Sequence, residues 1–319
     1  HQYSRELRTQ VNSLLDLVQP EIIWEGVISL YTEDKVDALG VIDSLIDVLR
    51  CDEETQHLHL PNLLSKLLNG IEHIGSKGDL EQMYSCLLLA RKVFGKFSGI
   101  STNLSESQDL PNENLLKKLE GLYRALLSYQ NVVANVYEKY VAPHFSNSSL
   151  NQSADTTQNE IRKIGVLSIE LLVSLFIYLP NLERGNNDEI PVWLKTLRDC
   201  SKSPEPTIAC TALRAFVELI SVPNSGMTPE TKEKLDLDLY IKEAVIKSWE
   251  LLDEQYSSIH FKVSDVLQLL LQISPRTVNS YISSQLAVSE PELKVESCKK
   301  FDIIWKLIND RTDSNPLAG

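Results

Sequence analysis

Cys51, His57 and His59 fall within nine positions of one another, a density of thiol and imidazole side chains that could ligate a transition metal. A structural zinc site takes four ligands in two closely spaced pairs, and no second pair is near in sequence. The stretch is therefore read as a loop leading into a helix. Serine, histidine and aspartate are all present, but there is no GxSxG elbow, no HExxH helix and no glycine-rich phosphate loop. The tetrapeptide SKGD at 76–79 is a turn before a helix, whose free N-terminal amides could hold an anion or simply water. No residue is singled out as catalytic, cofactor-binding or metal-binding. The expectation is a chain that is not an enzyme and uses no cofactor.

Composition narrows the classes further. The 319 residues are 43% hydrophobic and 24% charged, ordinary for a folded chain, and the length suits two domains or one elongated array. Twelve glycines and thirteen prolines are few for a turn-rich β fold. A net charge of −13 argues against a nucleic-acid partner, because phosphate neutralisation needs a basic face. The densest basic steps, Arg162-Lys163 and Lys299-Lys300, look like solvated helix edges. No window reaches the roughly 18 apolar residues of a membrane span; the nearest, IGVLSIELLVSLFIYLP, holds Glu170 and is read as a buried helix. Five scattered cysteines (51, 86, 200, 210 and 298) without a CxxC fit reduced cytosolic thiols. The opening HQYSREL lacks a Met or a signal peptide and the chain stops at NPLAG, so a piece of a longer protein is expected.

The elements that would position any surface are helices. Apolar residues recur at helical spacing over about 4–18, then from Pro20, and over 33–50. Leu63, Leu64, Leu67, Leu68, Ile71 and Ile74 stripe a fourth helix, and Asp79 is placed to cap a fifth that reaches about Phe97. Residues 98–112 are a polar loop inside an N-terminal helical array, 1–143. A long helix over 113–141 closes that array. Residues 144–158 form a low-complexity linker, 159–310 a C-terminal helical-repeat array and 311–319 a tail. Within the second array, prolines punctuate three helix pairs: 190–202 with 204–221, 230–254 with 258–273, and 275–287 with 291–309. The spacing approaches the roughly 40–47 residues of HEAT and armadillo repeats. Each pair is too small to bury its own apolar face, so it must stack on neighbours. The fold class expected is all-α: a HEAT/armadillo-like solenoid of antiparallel helix pairs. Trp24, Trp193, Trp249 and Trp305 sit on helices among aliphatic residues and are expected to anchor packing between layers.

The same segments carry a family resemblance. QISPRTVNSYISSQLAVSEPELKVESCKKFDIIWKLIND resembles the Dopey family, where an ISQQL-like segment precedes a charged helix ending in an LWHL-like step. IPVWLKTLRDCSKSPEPTIACTALRAFVELI is similar to the family's PEWLQTLMNAC stretch and the helix after it. LDLDLYIKEAVIKSWELLDEQYSSIHFKVSDVLQLLLQI resembles its helix with a TLWDQL-like core. LLDLVQPEIIWEGVISLY and HLHLPNLLSKLL are similar to its LEPFYIW and EHLPQLF segments, in the same order. The resemblance covers an internal region that follows the N-terminal domain of these very long proteins.

The resemblance implies a cytoplasmic scaffold, peripheral on Golgi and endosome membranes, that supports traffic between them by binding partner proteins. The partners it implies are a Mon-type Golgi scaffold related to Arf exchange factors and, in fungi, a phospholipid flippase. Animal members are also linked to kinesin cargo attachment and phosphoinositide recognition. Two other readings stand beside it: an unrelated HEAT-type protein-binding scaffold, and a lipid-binding or lipid-transfer module with a slot between helices.

Overall fold

The computed structural model describes residues 60–106, 129–146, 155–178, 192–221 and 236–313, with a few positions among the first 46. Every regular element among these residues is helical. The chain forms two compact units: His1–Val141 with Gln152–Leu171, and Ala142–Asn151 with Leu172–Gly319.

The first unit is built on the hairpin of α1 (Leu60–Lys77) and α2 (Leu80–Glu106). The stripe Leu63, Leu64, Leu67, Leu68, Ile71 and Ile74 is buried, as its spacing predicts, and meets Met83, Cys86, Leu87, Ala90 and Val93 of α2. Gly78 makes the turn between them at φ 74°, a left-handed conformation that only glycine adopts without strain. Asp79 then caps α2, its Oδ1 accepting the Gln82 N–H at 3.0 Å. Residues 129–136 are helical and run into a π-helical turn, Tyr137–Val141, where this part of the first unit ends; α3 (Ala142–Ser146), which follows, is counted with the second. The wider π turn inserts one residue into the helical register, and both Tyr137 and Val141 are buried. α4 spans Asp155–Tyr178; as far as Leu171 it belongs to this unit, where it buries Ile161, Ile164, Leu167, Ile169 and Leu171. Burial on so many sides matches its apolar circumference.

The second unit is a two-layer array. α5 (Val192–Ser201) pairs with α6 (Pro206–Ser221), and α7 (Leu237–Glu250) with α8 (His260–Ile273) through a 3₁₀ turn, Glu254–Ile259. α9 (Pro275–Leu286) pairs with α10 (Pro291–Asp313). α6, α8 and α10 pack successively on one another, while α7 packs on α9. Glu243 of α7 links to α5 through Arg198 at 3.5 Å and Lys202 at 3.3 Å. The first helices of the pairs thus make one layer and the second helices the other. The short connections make each pair antiparallel.

Proline explains the punctuation. Pro206, Pro275 and Pro291 each stand at the first position of their helix, where the missing N–H has no intrahelical partner to lose. Before α6, the buried Glu205 caps the helix through the amides of Thr207 (2.5 Å) and Ile208 (3.2 Å). Before α9, Ser274 leaves the helical region at φ −141°, ψ 72°, as the residue preceding a proline tends to.

The three pairs fall close to where the sequence places them, except that the helix expected over 230–254 spans Leu237–Glu250, with 230–235 outside the described residues. Three expectations at the margins are corrected. α2 continues to Glu106, into the stretch 98–112 expected to be a polar loop; the remainder of that stretch, 107–112, lies outside the described residues. Serine, threonine and asparagine weaken a helix without ending it once it is nucleated, and no proline intervenes before Pro111. The linker expected at 144–158 is helical at both ends, in α3 and in α4 from Asp155. The array expected over 159–310 loses its beginning to the first unit, because α4 up to Leu171 packs there. Arg91 of α2 bonds Glu170 at 2.9 Å on that side. The helices expected before residue 51, the loop from Cys51 to His59 and most of the helix over 113–141 lie outside the described residues.

One close approach constrains the first unit. Gly75 is buried in α1, and a β-carbon there would overlap the Tyr140 ring and come within 2.8 Å of Met83 Cε. Gly75→Ala should therefore lower stability by about 1–2 kcal/mol, even though alanine is the better helix former by about 1 kcal/mol. Urea denaturation followed by circular dichroism checks this. In a Tyr140→Ala background the penalty should vanish, so additive losses in the double mutant would show that the ring is not the obstacle.

Candidate interaction surface

Among the described residues, none of the chemistry weighed in the sequence is assembled by the fold. Among the described residues, no three His, Cys, Asp or Glu side chains lie close enough to hold a metal ion. Cys51, His57 and His59 lie outside those residues. The SKGD turn opens α2, but the Asp79 carboxylate already accepts the amide that an anion would use. Like charge disfavours an anion there.

Three of the cysteines behave as core residues. Cys86, Cys200 and Cys210 are buried and unoxidised, and Cys86 Sγ donates to the Leu67 carbonyl at 3.4 Å. Burial pushes the Cys210 thiol up to about 12, beyond what the lysine and arginine nearby can offset. A protonated thiol in this environment is a poor nucleophile and a poor metal ligand. Cys298, on α10, is exposed.

The tryptophans divide. Trp249 is buried between α7 and α9, edge-on to Tyr281 with ring centroids 6.4 Å apart, which is the packing role expected of it. Beside it in the core, Phe216 and Tyr240 join α6 to α7 at 3.6 Å between centroids. Trp305 departs from the expectation: it is 58% exposed and stacks on Phe301, one helical turn away, at 6.5 Å and 15°. α10 rests on α8 and α9 through Ser297, Lys300 and the half-buried Ile303, Ile304 and Leu307. Cys298, Phe301 and Trp305 occupy a different side of that helix. The Trp24 position and the Trp193 side chain lie outside what is described. Spacing alone marks an apolar stripe without saying which helix covers it, so the sequence favours packing for Trp305 over the alternative of a partner-facing aromatic.

Stacked antiparallel helix pairs, with Trp249 enclosed and Phe301 and Trp305 on an open flank, make the described array one of helical-repeat type. Comparison with known families agrees. Residues 191–318, 128 of the 319, match the family described as DOP1B-like, TPR repeats. The match is in keeping with the resemblance of these motifs to the Dopey family. TPR and HEAT repeats are both stacked antiparallel helix pairs, and the described array is of that kind. No curated protein and no solved structure matches the chain.

The thiols provide a direct check on the packing of this segment. In the native chain, iodoacetamide should label Cys298 and spare Cys86, Cys200 and Cys210 until denaturant is added, as peptide mapping would show. The pH dependence follows from the same burial. An unfolded Cys210 loses its proton around its ordinary value of 9.0, the folded one only toward about 12. Between these values the unfolded chain binds fewer protons, so stability should fall as pH rises from 9. Tyr240, also pushed up by burial, acts in the same direction at higher pH. Urea midpoints that stay level from pH 8 to 11, taken as approximate working values, would contradict both placements.

Proposed function

We propose that this chain is a non-enzymatic segment of a Dopey-like scaffold, supporting protein traffic between endosomes and the Golgi by binding partner proteins at the membrane surface. The observation that carries the reading is the family match at 191–318, which falls on the two-layer array of α5–α10. Stacked pairs expose both layers along their length, so such an array offers wide binding surfaces at little cost in core. The partners proposed are a Mon-type Golgi scaffold and a phospholipid flippase. The proposed location is the cytoplasm, peripheral on Golgi and endosome membranes. Among the described residues no helix is long and apolar enough to cross a membrane, so attachment through a partner suits them. A net charge of −13 opposes direct binding to anionic lipid.

Affinity capture from cytosol and detergent-solubilised Golgi membranes, with the 319-residue chain as bait, tests the reading. The expected result is recovery of a Golgi scaffold or a flippase subunit, lost when the chain is truncated before Pro275. Circular dichroism of the truncated bait shows whether the remaining helices persist. Recovery of no membrane-traffic protein overturns the reading. Flotation of the chain alone on anionic liposomes would instead favour a lipid-binding module.

A further inference from the structure

A groove of about 300 Å³ runs between the end of α7 and the flank of α10. Leu252, Val295 and Ile303 give it an apolar lining. Four carboxylates surround this lining, Asp253, Glu254, Glu292 and Glu296, with two lysines, Lys299 and Lys300. Both lysines are already engaged. Lys299 Nζ bonds Glu254 at 3.0 Å, and Lys300 Nζ bonds Glu296 at 2.6 Å. Asp253 and Glu292 take part in neither pair. Asp253 Oδ1 accepts the Gln255 N–H at 3.1 Å, which caps the 3₁₀ turn and leaves its second oxygen available. Glu292 is exposed in the first turn of α10. The groove therefore carries two uncompensated negative charges beside an apolar wall.

We propose that this groove is the docking site for a lysine- or arginine-bearing amphipathic segment of a partner protein, an inference that rests on the scaffold reading above. A cationic head reaches Asp253 and Glu292 while its alkyl stem lies along Val295 and Ile303, the arrangement in which long basic side chains bury most surface. A divalent cation is the poorer fit, since no three acidic or imidazole groups converge among the described residues. An acidic segment meets the same two carboxylates and the field of a chain at −13. Single exposed ion pairs contribute little, so affinity depends on charge and apolar contact acting together.

Fluorescence anisotropy with the 319-residue chain tests this, using a labelled amphipathic peptide of about 15 residues with leucines on one face and lysines on the other. The control peptide replaces each lysine with glutamate. The basic peptide should bind about tenfold more tightly than the acidic one. Glu292→Lys should weaken it about tenfold and Val295→Ser about threefold. Glu81→Lys, the same charge change at the same helical position in α2 of the other unit, should leave binding within about twofold. Should Glu292→Lys disturb α10 itself, as judged by circular dichroism, the isosteric Glu292→Gln should still cost about threefold. Equal losses in Glu81→Lys and Glu292→Lys would reduce the effect to overall charge and overturn the proposal, as would equal affinity for the two peptides. Capture of trafficking proteins that persists undiminished in Glu292→Lys would overturn the groove while leaving the scaffold reading in place.

Discussion

Burial of the α8 stripe, Val263, Val266, Leu267 and Leu270, is the interaction on which the C-terminal unit depends. α8 is packed by α6 and α10 within its own layer and by α7 and α9 across the layers. Each of these side chains contributes about 1.5–3 kcal/mol when fully buried, against a net stability of only about 5–15 kcal/mol for a domain. Without α8, the hairpins on either side would each face water with half an interface. Stability here is shared between neighbours, as repeat arrays require.

The same constraint governs what was legible in the sequence. The stripe of α1 and the bounds of the three C-terminal pairs follow from local rules: apolar spacing, first-turn proline, an acidic cap. Glu205 before Pro206 and Asp79 before α2 act within a few residues, so a single chain displays them. The assignment of α4 depends instead on which unit receives its buried side chains. Arg91 and Glu170 are 79 positions apart, and no periodicity announces their meeting. The overextended loop at 98–112 has a similar cause. Polar composition marks weak helix propensity, but an upstream helix can carry the backbone through it.

The π-helical turn and Gly75 belong to a different category, since neither has a distinctive signature in the chain. A glycine inside a helix normally costs stability, and Gly75 makes sense only once the Tyr140 ring is known to lie against it. The wider turn at Tyr137–Val141 sets the position from which that ring projects. These two irregularities therefore explain one another: the turn brings an aromatic side chain to α1, and the glycine leaves room for it.

Trp249 and Trp305 show how position in the array decides what a residue does. Both stand on amphipathic helices among aliphatic neighbours, and spacing treats them alike. α7 has α8 and α9 against it and ion pairs toward α5, so Trp249 is enclosed and meets Tyr281. α10 packs on α8 and α9 but leaves the Phe301–Trp305 flank in solvent, while its other flank borders the acidic groove. One helix thus carries an aromatic flank and, on another side, an acidic groove with an apolar lining. A sequence pattern establishes which residues are apolar. Stacking order then determines which of them remain available to bind.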